Sequence, residues 1–157
     1  MIQKIENWID ETNVAFVTQR NSCTSFETAF DGFYSPDFLR KSYFVLVKDI
    51  PRPDFPELRQ IGMDNFIDMP VAGITYKNTY YIRRELEQDL HLHFHELVHV
   101  AQWNLLGAPN LINRYIYEIQ QHGYNEAPLE KMAYALTNHF ALDAKAIDVL
   151  EFVQNKI

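Results

Sequence analysis

Residues 89–107 impose the strongest structural requirement on this chain, because they predict one long helix with two different faces. Asp89 is suited to the N-cap of a helix over residues 90–106, and Gly107 is suited to its end. One face of this helix is apolar and consists of Phe94, Val98, Ala101 and Leu105. The pattern therefore predicts a helix that packs one side against a core.

The neighbouring face carries His95 and His99, within the sequence His-Glu-Leu-Val-His. Residues four apart lie one turn apart on the same side of a helix, so both imidazoles could bind one metal ion. Glu96 points about 100° away from His95, which suits a base that accepts a proton from a metal-bound water. This HExxH pattern predicts a zinc site with His95 and His99 as ligands and Glu96 as the catalytic base.

A different interpretation uses His91, His93 and His95, which alternate along the chain. On a β-strand all three would lie on one face and could share a metal ion. The apolar period of residues 94–105 instead favours a helix, on which His93 points almost opposite the other two. We therefore do not expect His91 or His93 to be a ligand.

A catalytic zinc site needs a third protein ligand, which the HExxH pattern does not supply. The candidates further along the chain are Glu118, His122, Glu126, Glu130, His139 and Asp143. Glu130 lies in the first turn of a helix predicted to begin near Pro128, and the small Ala133 follows on the same side. A glutamate in a first turn can equally serve only the helix dipole. Glu126, one turn earlier on the same face, is the main competitor.

Two segments resemble small bacterial HExxH zinc metallopeptidases of the gluzincin kind, in the zincin superfamily. Residues 95–102, His-Glu-Leu-Val-His-Val-Ala-Gln, are similar to the HExxHxxQ pattern of that group. Residues 125–134, Asn-Glu-Ala-Pro-Leu-Glu-Lys-Met-Ala-Tyr, are similar to its P-x-E-x-x-A-Y helix, whose glutamate completes the metal site. The resemblance implies Glu130 as third ligand, Zn²⁺ as cofactor and peptide-bond hydrolysis as activity. Residues 1–70 resemble no family, so the substrate is not implied.

The rest of the chain predicts a small α+β fold around the HExxH helix. Apolar runs predict strands over 42–48 and 73–83. A turn at Lys77-Asn78 divides the second run into two strands. The second run also resembles the strand that precedes the HExxH helix in gluzincin metallopeptidases. The other expected elements are a helix over 2–17, mixed loop and short helix over 20–42, an irregular crossover at Pro51, Pro53 and Pro56, a helix over 111–121 capped by Asn110, and a helical region from Pro128 with a break near 138–143. We expect a single zincin-like domain over residues 1–157, with the sheet packed on the HExxH helix and the C-terminal helices on its other side.

Charge and composition restrict the partners and the location. The net charge of −7, without any Lys/Arg-rich run, argues against a nucleic-acid or anionic-membrane partner. The single cysteine, Cys23, excludes an internal disulfide and fits a reducing compartment. The N-terminal residues do not resemble a signal peptide, and no apolar stretch approaches the roughly 20 residues of a membrane-spanning helix. The expected location is cytoplasmic.

These features predict a zinc metallopeptidase that acts on a peptide or protein, which could pair with residues 74–82 if they form an exposed sheet edge. Two alternatives stay open: a regulatory peptidase acting on a repressor protein, and a non-catalytic zinc-containing binding protein, against which Glu96 argues. Gln102 either orients the site or is an ordinary polar position, and Trp103 is expected to pack in the core. The candidates for stabilising the oxyanion are Tyr115, Tyr117, Tyr124, Tyr134 and His122.

Overall fold

The computed structural model describes all residues from 1 to 157 and confirms the α+β class. Its helices are α1 (Ile2–Ala15), α2 (Pro36–Arg40), α3 (Pro56–Gln60), α4 (Asp64–Asp68), α5 (Leu90–Leu106), α6 (Ala108–His122), α7 (Pro128–Ala141) and α8 (Val149–Lys156). Its strands are β1 (Asn21–Ser22), β2 (Tyr43–Val47), β3 (Gly73–Tyr76) and β4 (Thr79–Arg83). None of the helices combines the length and the apolar composition needed to cross a lipid bilayer.

The sheet is small and mixed, with the strand order β1-β2-β4-β3. The central strands β2 and β4 are parallel, and both outer pairs are antiparallel. The predicted turn at Lys77-Asn78 joins β3 and β4, and Lys77 has the positive φ of 61° that such turns require. Helix α1 covers the outer side of this hairpin, where Lys77 forms ion pairs of 2.7 Å with Glu6 and Asp10.

The crossover between β2 and β4 contains two short helices, α3 and α4, which the sequence analysis did not predict. Each has only five residues, too few to show a period, and both depend on tertiary contacts. Arg59 in α3 forms ion pairs with three carboxylates, those of Asp54, Asp64 and Asp68. Arg52 donates to carbonyl groups at the end of α4, including that of Met69 at 2.6 Å. The two arginines thus hold the segment that leads into β3.

Helix α5 lies at the centre of the molecule, with the bounds that the sequence predicts. The side chain of Asp89 accepts a hydrogen bond from the Leu92 amide at 3.1 Å, and Gly107 ends the helix with a φ of +77°. Residues 93–103 are all buried, so the helix is enclosed by the sheet, α7 and α8 rather than packed on one side only. The apolar stripe reaches the surface at Leu105, which is 41% exposed.

The helices after α5 follow the expected order, with one correction at the start of α6. This helix begins at Ala108, not at residue 111, and the predicted cap, Asn110, lies inside its first turn. Asn110 instead donates to the Leu106 carbonyl at 3.0 Å. Pro109 occupies an early helical position, where its missing amide costs nothing. The end at Gly123, the start of α7 at Pro128 and a break before α8 are confirmed.

Candidate metal centre

The structure brings His95 and His99 of α5 and Glu130 of α7 together in one cluster. The Nε2 atoms of the two histidines are 3.2 Å apart. Glu130 places Oε1 at 3.2 Å from His95 Nε2 and Oε2 at 3.0 Å from His99 Nε2. Three donors bound tetrahedrally at about 2.1 Å from one zinc ion lie about 3.4 Å apart. The cluster therefore has nearly the spacing that a single ion needs.

Close packing of α7 on α5 produces this arrangement. Ala133, one turn after Glu130, is completely buried between the helices, and its small side chain permits a close approach. The start of α7 is held by Glu118 of α6, whose Oε1 accepts a hydrogen bond from the Leu129 amide at 2.8 Å. Glu130 is consequently only 2% exposed and points inward from the first turn.

The hydrogen bonds of Gln102 indicate which ring nitrogen of His99 carries the proton. The other nitrogen then presents its lone pair to the cluster. Gln102 donates from Nε2 to the Leu129 carbonyl at 3.0 Å, so its Oε1 is the acceptor for His99 Nδ1 at 2.8 Å. The proton of neutral His99 is therefore on Nδ1, and Nε2 is free to bind a metal. This nitrogen faces His95 Nε2 and the Glu130 carboxylate, an arrangement that could hold a cation between these atoms.

The charges of the cluster favour such a cation. Burial alone would lower the pKa of His99, but the charge of Glu130 and its hydrogen bond raise that pKa to about 9. Burial alone would raise the pKa of Glu130, but the facing imidazoles of His99 and His95 lower it well below its ordinary value. Without metal the cluster holds a proton tightly, so protons and metal ions compete for it.

The metal-free protein is therefore expected to lose about 3 kcal/mol of stability as the pH rises from about 6.5 to about 9. The pKa of His99 is higher in the folded state, about 9, than its ordinary value of 6.5, so protonation stabilises the fold. This contribution is complete below the ordinary pKa and disappears as the pH passes the folded pKa. Urea unfolding in chelator across this range measures it. The free energy of unfolding of His99→Gln should not show this fall between about pH 6.5 and about pH 9. Identical pH profiles for the variant and the unmodified protein would contradict the prediction.

Glu96 lies beside the cluster without belonging to it. Its Oε2 is 3.9 Å from His95 Nε2, and its Oε1 lies 3.0 Å from the Thr75 hydroxyl, which donates to it. Burial raises the pKa of the Glu96 carboxyl, although the nearby histidines oppose this shift. Strand β3 packs beside Glu96 at Gly73, where an added Cβ would lie in ordinary contact with Glu96 Cδ, at 3.4 Å, but would clash with Ile82 Cγ2 of β4 at 2.8 Å. Glu96 thus lies outside the group of three side chains that could hold a metal ion.

Tyr115 is a site residue whose role the sequence did not indicate. Its hydroxyl donates to Glu130 Oε2 at 2.7 Å, whereas the sequence predicted it only as one of five possible oxyanion donors. The residue lies on α6, and no local pattern indicates that this helix would turn it toward Glu130. Tyr115 and Gln102 therefore each hold one member of the cluster in position.

Tyr115→Phe and Gln102→Leu are each expected to weaken zinc binding by about 10–100-fold, because outer partners orient the ligands. Competition with a chromophoric chelator measures the affinity. Tyr117→Phe is the matched control, since Tyr117 lies on the same helix but is 61% exposed. The roles assigned to Tyr115 and Gln102 are wrong if both variants bind zinc as tightly as this control.

The other candidates for the third ligand have different partners. Glu118 binds the Leu129 amide, as described above, and Arg114. Glu126 is exposed and forms an ion pair with Lys131. His139 contacts the Lys145 carbonyl through Nε2. His122 and Asp143 are exposed at the ends of α6 and α7.

The strand interpretation of His91, His93 and His95 is wrong, since all three lie in α5. His93 is buried away from the cluster, with Nδ1 at 2.7 Å from the Tyr80 hydroxyl and Nε2 at 2.8 Å from the Glu87 carbonyl. His93 therefore anchors the start of α5 to the sheet.

An open groove of about 560 Å³ leads to the cluster. Its walls are residues 69–73 on one side and parts of α5 and α7 on the other, and His95 and Glu96 line it. Tyr134 lies at the groove with its ring centroid 4.6 Å from that of His95, and Tyr124 also lines it. Among the five candidates named from the sequence, only these two tyrosines line the groove.

Strand β3 is the edge of the sheet, but it is not the exposed edge that strand pairing would require. All four of its residues are buried. The Trp103 indole donates to the Thr75 carbonyl at 3.2 Å, and Asn13 of α1 donates to the Tyr76 carbonyl at 3.0 Å. The predicted exposed edge is therefore wrong for the buried residues Ile74, Thr75 and Tyr76, and only Gly73 of this strand lines the groove.

Comparison of the chain with protein-family models, with curated proteins and with solved structures found no match in any of the three.

Proposed function

We propose that this protein is a zinc-dependent hydrolase, and more narrowly a metallopeptidase with a zincin-like fold. The observation that supports this best is the buried triangle of His95, His99 and Glu130 with a separate carboxylate, Glu96, beside it. A structural metal site has no use for such a base, whereas hydrolysis requires one.

The ligand set suits zinc. Two imidazoles and one carboxylate form a three-ligand site of the type found in catalytic zinc centres, where a fourth position stays available. The order along the chain also supports a zincin-like assignment, because a β-hairpin, the HExxH helix and a helix with the third ligand follow one another as the resemblance implies. The open groove reaches the cluster from the side of His95 and Glu96.

A bound Zn²⁺ ion would lower the pKa of a water molecule toward neutrality and polarise the scissile carbonyl. Glu96 accepts the proton of the attacking water and then delivers it to the leaving amine. Thr75 holds Oε1 of Glu96, which leaves Oε2 to carry the proton. Tyr134 or Tyr124 donates a hydrogen bond to the developing oxyanion from the groove wall.

The substrate is proposed to be a peptide or protein segment that lies in the groove between residues 69–73 and α7. Pairing along β3 is not part of this proposal, because its residues are buried and the Thr75 carbonyl already accepts a hydrogen bond from Trp103. The chain's net charge of −7 makes nucleic acid and anionic membranes poor partners. The cytoplasm remains the expected location, which the single cysteine supports.

A proteome-derived peptide library tests the proposal. Zinc-loaded protein is incubated with the library, and new peptide ends are identified by mass spectrometry. We expect cleavages that disappear in chelator and return when zinc is added. A zinc-loaded protein that cleaves no more than the chelated sample would contradict the proposal and favour a non-catalytic zinc-binding protein.

A further inference from the structure

Two hydrogen bonds at Thr75 join strand β3 to α5, the helix that carries Glu96. The Trp103 indole of α5 donates to the Thr75 carbonyl at 3.2 Å. The Thr75 hydroxyl returns to α5 and donates to Glu96 Oε1 at 3.0 Å. Trp103 follows Glu96 by about two helical turns, so both side chains lie on nearly the same face of α5. One helix therefore fixes Thr75 through its main chain, and Thr75 in turn contacts a carboxylate of the same helix.

We propose that Thr75 and Trp103 form a clamp that positions Glu96 for hydrolysis, with Trp103 acting through Thr75. The inference rests on the proposed function, because it names the residues that align its base. Neither side chain is hydrogen-bonded to any of the three proposed metal ligands. The clamp therefore acts on the base and leaves the metal ligands unchanged.

The Thr75 hydroxyl has one proton and two acceptors within reach. These are Glu96 Oε1 at 3.0 Å and the Glu96 carbonyl oxygen at 3.2 Å. An ionised carboxylate is the stronger acceptor and forms the shorter bond. The carbonyl lies in the middle of α5, where the helix itself supplies an amide donor. The hydroxyl proton is therefore assigned to Oε1, and the bond fixes the rotation of the carboxylate.

Burial makes this single bond important for the position of Glu96. Its side chain and that of Thr75 are both buried, and Oε1 accepts no other hydrogen bond from the chain. Valine has nearly the shape of threonine, so the hydroxyl is what distinguishes threonine at this strand position. A buried acceptor that loses its donor is costly. Without the hydroxyl, the carboxylate should therefore turn away from β3.

Crystal structures of metal-free Thr75→Val and Thr79→Val test the clamp without requiring catalysis. Thr79 is the matched control, because it is also buried but donates to Asn78 Oδ1 at 3.0 Å. In Thr75→Val alone, the Glu96 carboxylate should leave its place beside β3 or occupy more than one position. An unchanged carboxylate would overturn the clamp. If Thr75→Val does not fold, Trp103→Phe provides the same test, since it lacks the indole donor but keeps an aromatic ring.

Kinetics on a peptide found in the library screen separates positioning from a merely structural role. Thr75→Val should lower kcat by about 10–100-fold, while KM and zinc affinity stay unchanged. Thr75→Ser keeps the hydroxyl and should restore most of the rate. In a Glu96→Gln background the valine substitution should have little further effect, because the two residues act as one unit.

Equal losses of kcat in the two backgrounds would overturn the clamp, and so would a Thr75→Val variant as active as Thr79→Val. Either result would leave the proposed function intact. An unmodified, zinc-loaded protein that cleaves no peptide would instead contradict the proposed function. The crystal structures would then still decide whether Thr75 holds Glu96 in position.

Discussion

Glu96→Gln is expected to lower the rate of hydrolysis by about 10²–10⁴, the usual contribution of a positioned general base, without loss of zinc. The amide keeps the shape of the side chain and can still accept the hydrogen bond from Thr75, so the fold and the groove should persist. It cannot accept the proton of the attacking water. Single-turnover kinetics on any peptide found in the library screen, together with metal analysis of the same sample, measures both effects.

Glu126→Gln is the matched control for this experiment. It removes the same charge from an exposed side chain that contacts only Lys131 among the charged groups. Its activity should equal that of the unmodified protein. If Glu96→Gln hydrolyses the substrate as fast as this control, Glu96 is not the base and the mechanism is wrong.

Glu130→Ala is expected to weaken zinc binding by more than about 100-fold, which exceeds the loss usual for an outer partner. The substitution removes one of the three proposed ligands and also the charge that would offset the metal and that faces the two imidazoles. Glu126→Ala should leave the affinity unchanged, since Glu126 is exposed and lies outside the cluster. Titration in competition with a chelator of known affinity measures the difference.

If Glu126→Ala weakens zinc binding and Glu130→Ala does not, α7 does not supply the third ligand. Loss of folding in Glu130→Ala is separated from loss of a ligand by circular dichroism of the metal-free forms. Removal of a buried carboxylate also leaves the Tyr115 hydroxyl without its partner, so a modest loss of stability is expected in any case.

Features with a local cause could be predicted from the sequence. The bounds of α5 follow from the cap at Asp89 and the stop at Gly107, and the β3–β4 hairpin follows from the turn at Lys77. Both signals act within a few residues of the element that they define. The same locality explains why the spacing of His95 and His99 was sufficient to predict that they share a face.

Features that depend on distant contacts were not accessible in this way. Helices α3 and α4 are held by arginine side chains, and the edge of β3 is covered by Asn13 and Trp103, which no pattern near β3 reveals. The link between Tyr115 and Glu130 depends on how α6 packs beside α7. The choice of Glu130 over Glu126 came from the resemblance. The expectation that both share one helix face is wrong, because Glu126 lies in the turn before α7 begins at Pro128.

Anomalous diffraction at the zinc absorption edge, from crystals of the zinc-loaded protein, tests the central claim most directly. The account predicts one strong peak bounded by Nε2 of His95, Nε2 of His99 and the carboxylate of Glu130, with Glu96 close by but not bound. No peak at this position would contradict it, and so would a peak at which Glu126, His122 or His139 replaces Glu130.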